Sequence, residues 1–178
     1  MTELVTDRLI LRHWRPEDRA PFAAMNADPA VMEHFPAPLT ASESDALVDR
    51  IEAGFDARPF GLWALERRAD GAFLGFTGLS DVGFDAHFTP AVEVGWRLAA
   101  FAWGRGYASE AARASLRHGF DTVGLTQIVS FTARRNTRSS AVMERIGMTR
   151  DPADDFDHPR VAAGHPLRPH VLYRTRSR

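Results

Sequence analysis

The feature of this sequence that most constrains its fold is a strand, a glycine-rich loop and a helix that follow one another directly. Residues 92–98 have the alternating apolar pattern of a strand, Gly104 and Gly106 lie in the loop, and residues 107–119 have the composition of a helix. A further strand is predicted at residues 126–132. A strand, a helix and a second strand in succession are typical of two parallel strands joined by a right-handed crossover. We therefore expect these two strands to be parallel.

The rest of the chain adds antiparallel strands and further helices. Asp70 and Gly71 separate two apolar segments and predict a β-hairpin, since a tight turn of this kind needs a positive φ angle. Thr40 and Glu43 form a capping box, which predicts the start of a helix. The other predicted strands are residues 9–13, 60–67, 73–79 and 170–175, the other predicted helices are residues 16–27 and 136–146, and residues 151–169 are predicted as loop.

These elements predict an α/β fold of the mixed α+β type, in a single domain that covers residues 1–178. The hairpin makes most of the central mixed sheet antiparallel, and the unit at residues 92–132 adds one parallel pair. Helices are expected on both faces of the sheet. A chain of this length can bury roughly two-thirds of its unfolded surface, which is enough for a substantial core.

Composition narrows the classes of function. The net charge is −1, so we expect no general attraction to nucleic acid or to an anionic membrane. No apolar stretch approaches the ~20 residues that span a bilayer, and the N-terminus lacks the features of a signal peptide, which favours a cytoplasmic protein. Cysteine is absent, which excludes an acyl-cysteine intermediate. Lysine is absent too, so the chain has no side-chain amine to acylate.

Residues 103–109 (WGRGYAS) are the candidate phosphate-binding loop. The first turn of a helix has N–H groups without intrahelical partners, and glycines before it let these groups converge on an anion such as a diphosphate. A turn that binds no ligand is the alternative. The loop lacks the Walker pattern of nucleoside triphosphatases. A reductase that binds NADP stays open, with Arg134 and Arg135 available to contact a 2′-phosphate.

Two motifs in this order resemble those of the GNAT superfamily of acyl-CoA N-acyltransferases, in particular the branch of ribosomal-protein N-terminal acetyltransferases of the RimJ and RimL type. The loop matches the signature [QR]xxGx[GA] at Gly106 and Ala108, and Trp103 departs from its first position. Residues 136–148 (NTRSSAVMERIGM) resemble the second signature, NxxSxxxxExxGF. The likeness extends over residues 6–174, which is nearly the whole chain.

The resemblance implies a GNAT-like fold in which coenzyme A lies between two splayed parallel strands, residues 93–98 and 126–132. The pantetheine is expected along the first strand and the pyrophosphate on the glycine loop. The cofactor-binding residues implied by the resemblance are Trp96, Arg97, Leu98, Trp103, Gly104, Arg105, Gly106, Tyr107, Ala108, Ser109, Asn136, Ser139 and Arg145.

The resemblance also assigns the chemistry to residues. Glu93, on the strand beside the cofactor, is expected to act through water as a general base on the acceptor amine. Ser139 is expected to hydrogen-bond the departing thiolate, because the position of the tyrosine used by many family members is Met143 here. Main-chain N–H groups at residues 96–98 are expected to polarise the thioester carbonyl.

The acceptor side of the site is less clearly marked in the sequence. Phe35 and Trp63 are candidate residues of the acceptor pocket, and a place in the hydrophobic core is the alternative for Trp63. Histidines and aspartates between residues 154 and 170 have no standard ligand spacing, so we expect no metal. The acidic residues there could instead attract a cationic amine.

The sequence therefore predicts an enzyme that transfers an acetyl group from acetyl-CoA to a primary amine by direct attack in a ternary complex. The acceptor is either a protein N-terminus or a small molecule. A non-catalytic acyl-CoA-binding sensor or scaffold domain is the alternative. The expected partners are acetyl-CoA and the amine, without nucleic acid or membrane, and the expected assembly is a monomer or homodimer.

Overall fold

A computed structural model describes residues 3–177, and a nine-stranded sheet is its central element. The sheet order is β1-β2-β3-β4-β5-β6-β9-β7, and β8 pairs with β9. The predicted mixed sheet is confirmed, since the β5–β6 pair is parallel and the other pairs among the described residues are antiparallel. The strands are β1 (Leu4–Val5), β2 (Leu9–Arg12), β3 (Leu62–Arg67), β4 (Phe73–Asp81), β5 (Val92–Leu98), β6 (Gln127–Ala133), β7 (Thr149–Arg150), β8 (Phe156–Asp157) and β9 (Pro169–Arg176).

The helices lie close to their predicted positions. The Thr40 hydroxyl accepts a 3.2 Å hydrogen bond from the Glu43 amide, and the Glu43 carboxylate accepts one of 2.8 Å from the Thr40 amide. The predicted capping box is therefore confirmed. The α-helices are α1 (Arg19–Ala27), α2 (Ala41–Ala57), α3 (Tyr107–Arg117) and α4 (Thr137–Arg145), with a 3-10 turn (Pro16–Asp18) before α1 and a π-helical turn (His118–Thr122) after α3. None of the helices in residues 3–177 has the length and apolar character needed to cross a bilayer.

Two apolar clusters show that helices cover both faces of the sheet, as predicted. Neighbouring residues of a strand point to opposite faces, and Trp63 and Ala64 of β3 accordingly belong to different clusters. On one face, Ala64 packs in the cluster that includes Phe22 of α1 and Ile51 of α2. On the other face, Trp63 packs in the cluster that includes Ala111 of α3.

The hairpin between β3 and β4 is confirmed, with a longer turn than two residues. Gly71 has a φ angle of +71°, whereas no residue other than glycine has a positive φ angle in residues 3–177. The Gly71 amide donates to the Arg67 carbonyl at 2.8 Å. The pairing also shifts register between Leu65 and Glu66, so a β-bulge accommodates the extra residue.

The prediction that residues 151–169 are all loop is wrong. A 3-10 turn (Pro152–Asp154) and β8 lie within the segment, and Phe156 pairs with His170 of β9. The strands β1 and β7 were also not predicted. A strand of two residues has no alternation to detect, because its pairing is decided by the neighbouring strand rather than by its own sequence.

A buried arginine joins β2, β3 and the turn before α1. Arg12 is 3% exposed, and its two terminal nitrogens donate to the Asp18 carboxylate at 2.7 and 2.9 Å. Its Nε donates to the Glu66 carboxylate at 2.6 Å. Asp18, in the turn before α1, therefore forms a buried ion pair with Arg12.

Replacing Asp18 with alanine should lower the free energy of unfolding by about 3–5 kcal/mol, because the buried Arg12 charge would lose its bidentate partner. Asp49→Ala is the matched control, since Asp49 also pairs with an arginine but is 67% exposed in its side chain. Removing that exposed pair should cost less than about 1 kcal/mol. Urea unfolding of the variants measures both values, and equal losses would contradict the assignment.

Candidate active site

The parallel strands β5 and β6 separate immediately after they meet. Glu93 and Val129 are their paired residues, and the Ser130 hydroxyl then donates to the Val94 carbonyl at 2.8 Å. On its other side β5 pairs with β4 from Val92 to Leu98. Since backbone groups alternate between the two edges of a strand, those of Trp96 face the opening.

The opening between the two strands forms part of a cleft of about 1780 Å³. Such a volume exceeds the roughly 300–1,000 Å³ of common ligand pockets and suits two substrates together. The residues predicted as catalytic, cofactor-binding or acceptor-binding that line this cleft are Phe35, Glu93, Trp96, Arg97, Leu98, Trp103, Gly104, Gly106, Tyr107, Ala108, Ser109, Asn136, Ser139 and Arg145.

The glycine loop has the open main chain that a phosphate group requires. Gly104 and Gly106 have φ angles of +72° and +79°. The amides of residues 104–109 donate to no protein acceptor among residues 3–177, and helix α3 makes its first bond from Glu110 to the Gly106 carbonyl. The buried Ser109 hydroxyl also lacks a partner. Free amides and an orphaned hydroxyl fit an anionic diphosphate.

Trp103 and Arg105 of the loop have different roles. The Trp103 indole Nε1 donates to the Leu98 carbonyl at 2.8 Å, and the Arg138 guanidinium lies 4.7 Å from the centre of the indole ring. The tryptophan therefore ties the loop to β5. The Arg105 side chain is exposed and does not line the cleft, so its predicted part in holding the pyrophosphate rests on its free main-chain amide.

Arg8 lines the cleft and holds the loop in place. Its Nη1 donates to the Arg105 carbonyl at 2.9 Å, and its guanidinium lies 4.8 Å from the centre of the Tyr107 ring. It also forms a 2.6 Å ion pair with Glu110 in the first turn of α3. Sequence reasoning missed this residue, because its partners lie about a hundred positions away.

Asn136 and Ser139 lie on the wall of the cleft at the start of α4. The Asn136 side chain accepts from the Ser139 amide at 3.2 Å, and its Nδ2 donates to the Ser139 hydroxyl oxygen at 3.1 Å. Asn136 therefore caps the N-terminus of α4. Because the serine oxygen serves as acceptor in this pair, its own proton stays available to a group in the cleft.

Glu93 carries an unusual carboxyl group. It is half-buried and lines the cleft, and no side-chain hydrogen bond or ion pair to it is present among residues 3–177. Burial raises the pKa of Glu93 from 4.5 to about 8. A carboxyl group with a pKa near neutrality is suited to exchange a proton with a bound molecule.

The two predicted acceptor residues have different positions. Phe35 is 37% exposed and lines the cleft. Trp63 is 1% exposed and packs in the core against His118, with ring centres 5.4 Å apart. The prediction that Trp63 lines the acceptor pocket is therefore corrected, because its large apolar side chain is enclosed in the core that includes Ala111 of α3.

The acidic residues of the 151–169 segment are already paired. Asp154, Asp155 and Asp157 form ion pairs with Arg174, Arg150 and Arg168. Each of these three carboxylates therefore has an arginine beside it, and an amine drawn to this segment would compete with those arginines. No group of three or more metal-ligating side chains occurs within residues 3–177.

The fold and the cleft together define an acyltransferase of the GNAT class. Residues 8–149 match the family model described as Acetyltransferase (GNAT) domain, so the chain belongs to this family, whose members use acetyl-CoA. The predictions of the family and of an acyltransferase are confirmed. Arg134 and Arg135, the candidates for contact with the 2′-phosphate of NADP, do not line the cleft, which argues against a reductase.

Particular relatives are similar along most of the chain. YkkB of Bacillus subtilis (strain 168) is 34% identical over 151 residues, which are 83% of this chain and 85% of YkkB. The FsC-acetyl coenzyme A-N(2)-transacetylase of Aspergillus fumigatus is 32% identical over 153 residues, which are 82% of this chain and 64% of the fungal protein. An acetyltransferase structure from Agrobacterium tumefaciens str. C58 superimposes with a TM-score of 0.79 at 27% identity, covering 99% of this chain and 95% of that one.

The raised pKa of Glu93 predicts a pH-dependent stability. The folded protein keeps the Glu93 proton up to about pH 8, whereas unfolded glutamate loses its proton near pH 4.5. The free energy of unfolding of the wild type should therefore fall, relative to that of Glu93→Gln, as the pH rises from 5 to 8, and then level off. Urea unfolding at each pH measures the difference.

Glu43→Gln is the control for this titration. The capping bonds from Thr40 lower the pKa of Glu43, so this residue is ionised in both states above pH 5. The difference between wild type and Glu43→Gln should be constant from pH 5 to 9. A Glu93→Gln difference that is equally constant would show that Glu93 titrates normally.

Proposed function

We propose that this protein transfers the acetyl group of acetyl-CoA to a primary amine, with Glu93 as the general base. The observation that carries the proposal is an unpartnered carboxyl group of raised pKa at the point where β5 and β6 separate. An ammonium ion cannot attack a thioester, so the site must accept a proton from the amine. Glu93 is the acidic residue of β5 that lines the cleft.

The residues proposed to hold coenzyme A follow the cleft from the strand to the loop. The free amides at residues 104–109 and the Ser109 hydroxyl would bind the diphosphate, and the open edge of β5 at Trp96 would bind the pantetheine as a neighbouring strand would. Bound there, acetyl-CoA supplies an activated thioester carbonyl. Asn136 and Ser139 line the cleft as well.

The proposed steps assign one task to each group of this chain. Glu93 takes the proton from the amine, directly or through water, and a main-chain N–H at the open edge of β5 donates to the carbonyl oxygen. The Ser139 hydroxyl, whose oxygen accepts from Asn136, donates its proton in a hydrogen bond to the thiolate that leaves. With no cysteine in the sequence, attack on the thioester is direct.

A sensor or scaffold that binds acyl-CoA without turnover is the second candidate. The free loop amides would suit it equally well, because they need only bind. The Glu93 environment favours the enzyme, since a binding domain gains nothing from an unpaired carboxyl group in its cleft.

Initial rates of thiol release with acetyl-CoA and a panel of primary amines test the proposal. The kinetic pattern should be sequential. Glu93→Gln should lower kcat/KM by about 100-fold or more and abolish the rise of rate with pH towards a pKa of about 8. The exposed Glu17→Gln should retain wild-type rates. Thiol release that is unaffected by Glu93→Gln, or a ping-pong pattern, would refute the proposed mechanism.

The cofactor half of the proposal has its own test at Gly106. Gly106→Asp adds a negative side chain at the loop and should abolish the thermal stabilisation of the protein by coenzyme A. Gly71→Asp is the control, since Gly71 has a similar positive φ angle but lies in the β3–β4 turn, where nothing stands within 4 Å of an added Cβ, whereas at Gly106 an added Cβ would lie 3.5 Å from Arg8 Nη2. Each substitution should cost about 1–2 kcal/mol of stability from backbone strain. Only Gly71→Asp should keep the full response, about 2.7 kcal/mol at a hundredfold excess of coenzyme A over its Kd.

A further inference from the structure

The side chain of Arg97 projects from one face of β5, whereas the coenzyme A is proposed to lie along the open edge of that strand. Alternation along the strand places this side chain on the same face as Glu93, and Arg97 pairs through its backbone with Phe76 of β4. Backbone groups alternate between the two edges of β5, so those of Arg97 face β4 and not the opening, and its predicted backbone contact with pantetheine does not fit this position. The guanidinium instead lines the cleft beneath Phe35, 4.2 Å from the centre of that ring.

The Arg97 guanidinium is fixed in place but its charge is not balanced. Its Nη1 donates to the Asn26 side-chain oxygen at 2.7 Å, and the Phe76 ring lies 5.5 Å away on another side. Its Nε is buried without a hydrogen-bond partner, and no carboxylate forms an ion pair with it among residues 3–177. Burial lowers the pKa of Arg97 to about 10.

A cation enclosed by a neutral amide and aromatic rings, without a counter-ion, has an unfavourable desolvation free energy that nothing offsets. Arg12 provides a comparison within this protein. It is also held in place by hydrogen bonds, but it forms ion pairs with two carboxylates. Nη2 of Arg97 donates to no protein acceptor among residues 3–177 and is not one of the buried atoms, so it offers a place for an anion that the chain itself does not provide. A carboxylate matches the paired N–H geometry of a guanidinium.

Glu93 and Arg97 give one face of the cleft two different polar groups, a carboxyl group that can exchange a proton and a cationic guanidinium. The Glu93 carboxylate leans along β5, with its Oε1 3.7 Å from where a side-chain Cβ on Gly95 would lie. Arg97 lies two residues beyond Gly95 on the same face, a rise of about 7 Å along the strand. A molecule with its amine at Glu93 could extend towards Arg97 on the same face of the sheet.

We propose that Arg97, positioned by Asn26 and Phe35, binds a carboxylate of the acceptor, so that the preferred acceptors are amines that also carry a carboxylate. The inference rests on the proposed acetyl transfer and specifies its substrate class. Arg97 is then the residue that selects the acceptor, and Glu93 the one that activates it.

The test compares 6-aminohexanoate with hexylamine, which has a similar chain and amine but no carboxylate. Calorimetry on protein saturated with coenzyme A measures acceptor binding without turnover, and acetyl-CoA assays measure kcat/KM. The proteins are wild type, Arg97→Met, Arg97→Lys and the control Arg50→Gln, which changes an exposed arginine of α2. A second arm uses amidated tetrapeptides with Asp or Asn at position two, which distinguishes a peptide carboxylate from that of a small molecule.

Wild type and Arg50→Gln should bind the carboxylate-bearing member of at least one pair about 10- to 100-fold more tightly than its neutral match. Arg97→Met should lose this preference, and Arg97→Lys should keep part of it. Equal binding of both members by the wild type, a preference that survives in Arg97→Met, or no measurable binding of any probe would each overturn the inference.

The two readouts also separate this inference from the proposed function. Arg97-dependent binding of 6-aminohexanoate without acetylation of any amine would support the carboxylate site and refute the enzyme. Acetylation of hexylamine and 6-aminohexanoate with equal kcat/KM would support the enzyme and refute the carboxylate site. Thermal unfolding of each variant shows whether the fold is retained. If Arg97→Met does not fold, a carboxylate preference of Arg97→Lys that is weaker than that of the wild type supports the inference, and an unchanged preference contradicts it.

Discussion

The site depends on one interruption in the hydrogen bonding of the sheet. β5 is fully paired with β4, but it meets β6 only at Glu93 and Val129. Unpaired backbone groups inside a protein are unfavourable unless something satisfies them. One is satisfied by the Ser130 hydroxyl at Val94, and the next ones along β5 face the cleft. The wedge between the strands therefore creates both the space for a ligand and the hydrogen-bonding groups to hold it.

Other groups in the cleft share this incompleteness. The loop amides, the Ser109 hydroxyl, the Glu93 carboxyl and the Arg97 guanidinium all lack a full set of partners among the described residues. Elsewhere the chain satisfies its charges well, as the Arg12 pair with Asp18 demonstrates. Unsatisfied polar groups in a native protein tend to mark functional sites. Their concentration along one cleft is therefore the physical signature of a site built for other molecules.

Much of this could be predicted from the sequence, because the informative features are local. The Thr40 box, the Asp70-Gly71 hairpin and the parallel unit follow from short-range rules, and the two motifs indicated the cleft. The role of Arg97 could not be predicted, since the face on which a side chain lies is set by pairing with β4 and by Asn26, 71 positions away. Trp63 was ambiguous for the same reason. A single domain, a monomeric or dimeric assembly and a cytoplasmic location stay predictions.

Arg8 connects the beginning of the chain to the phosphate loop, through the Arg105 carbonyl, the Tyr107 ring and Glu110. Residues almost a hundred positions apart thus form one mechanical unit. Because coupling between two parts of a molecule is reciprocal, an anion that rigidifies the loop also restrains the first strands, and loosening those strands weakens the grip on the anion. The edge of the sheet that lies farthest from β5 in strand order therefore helps to hold the glycine loop in place.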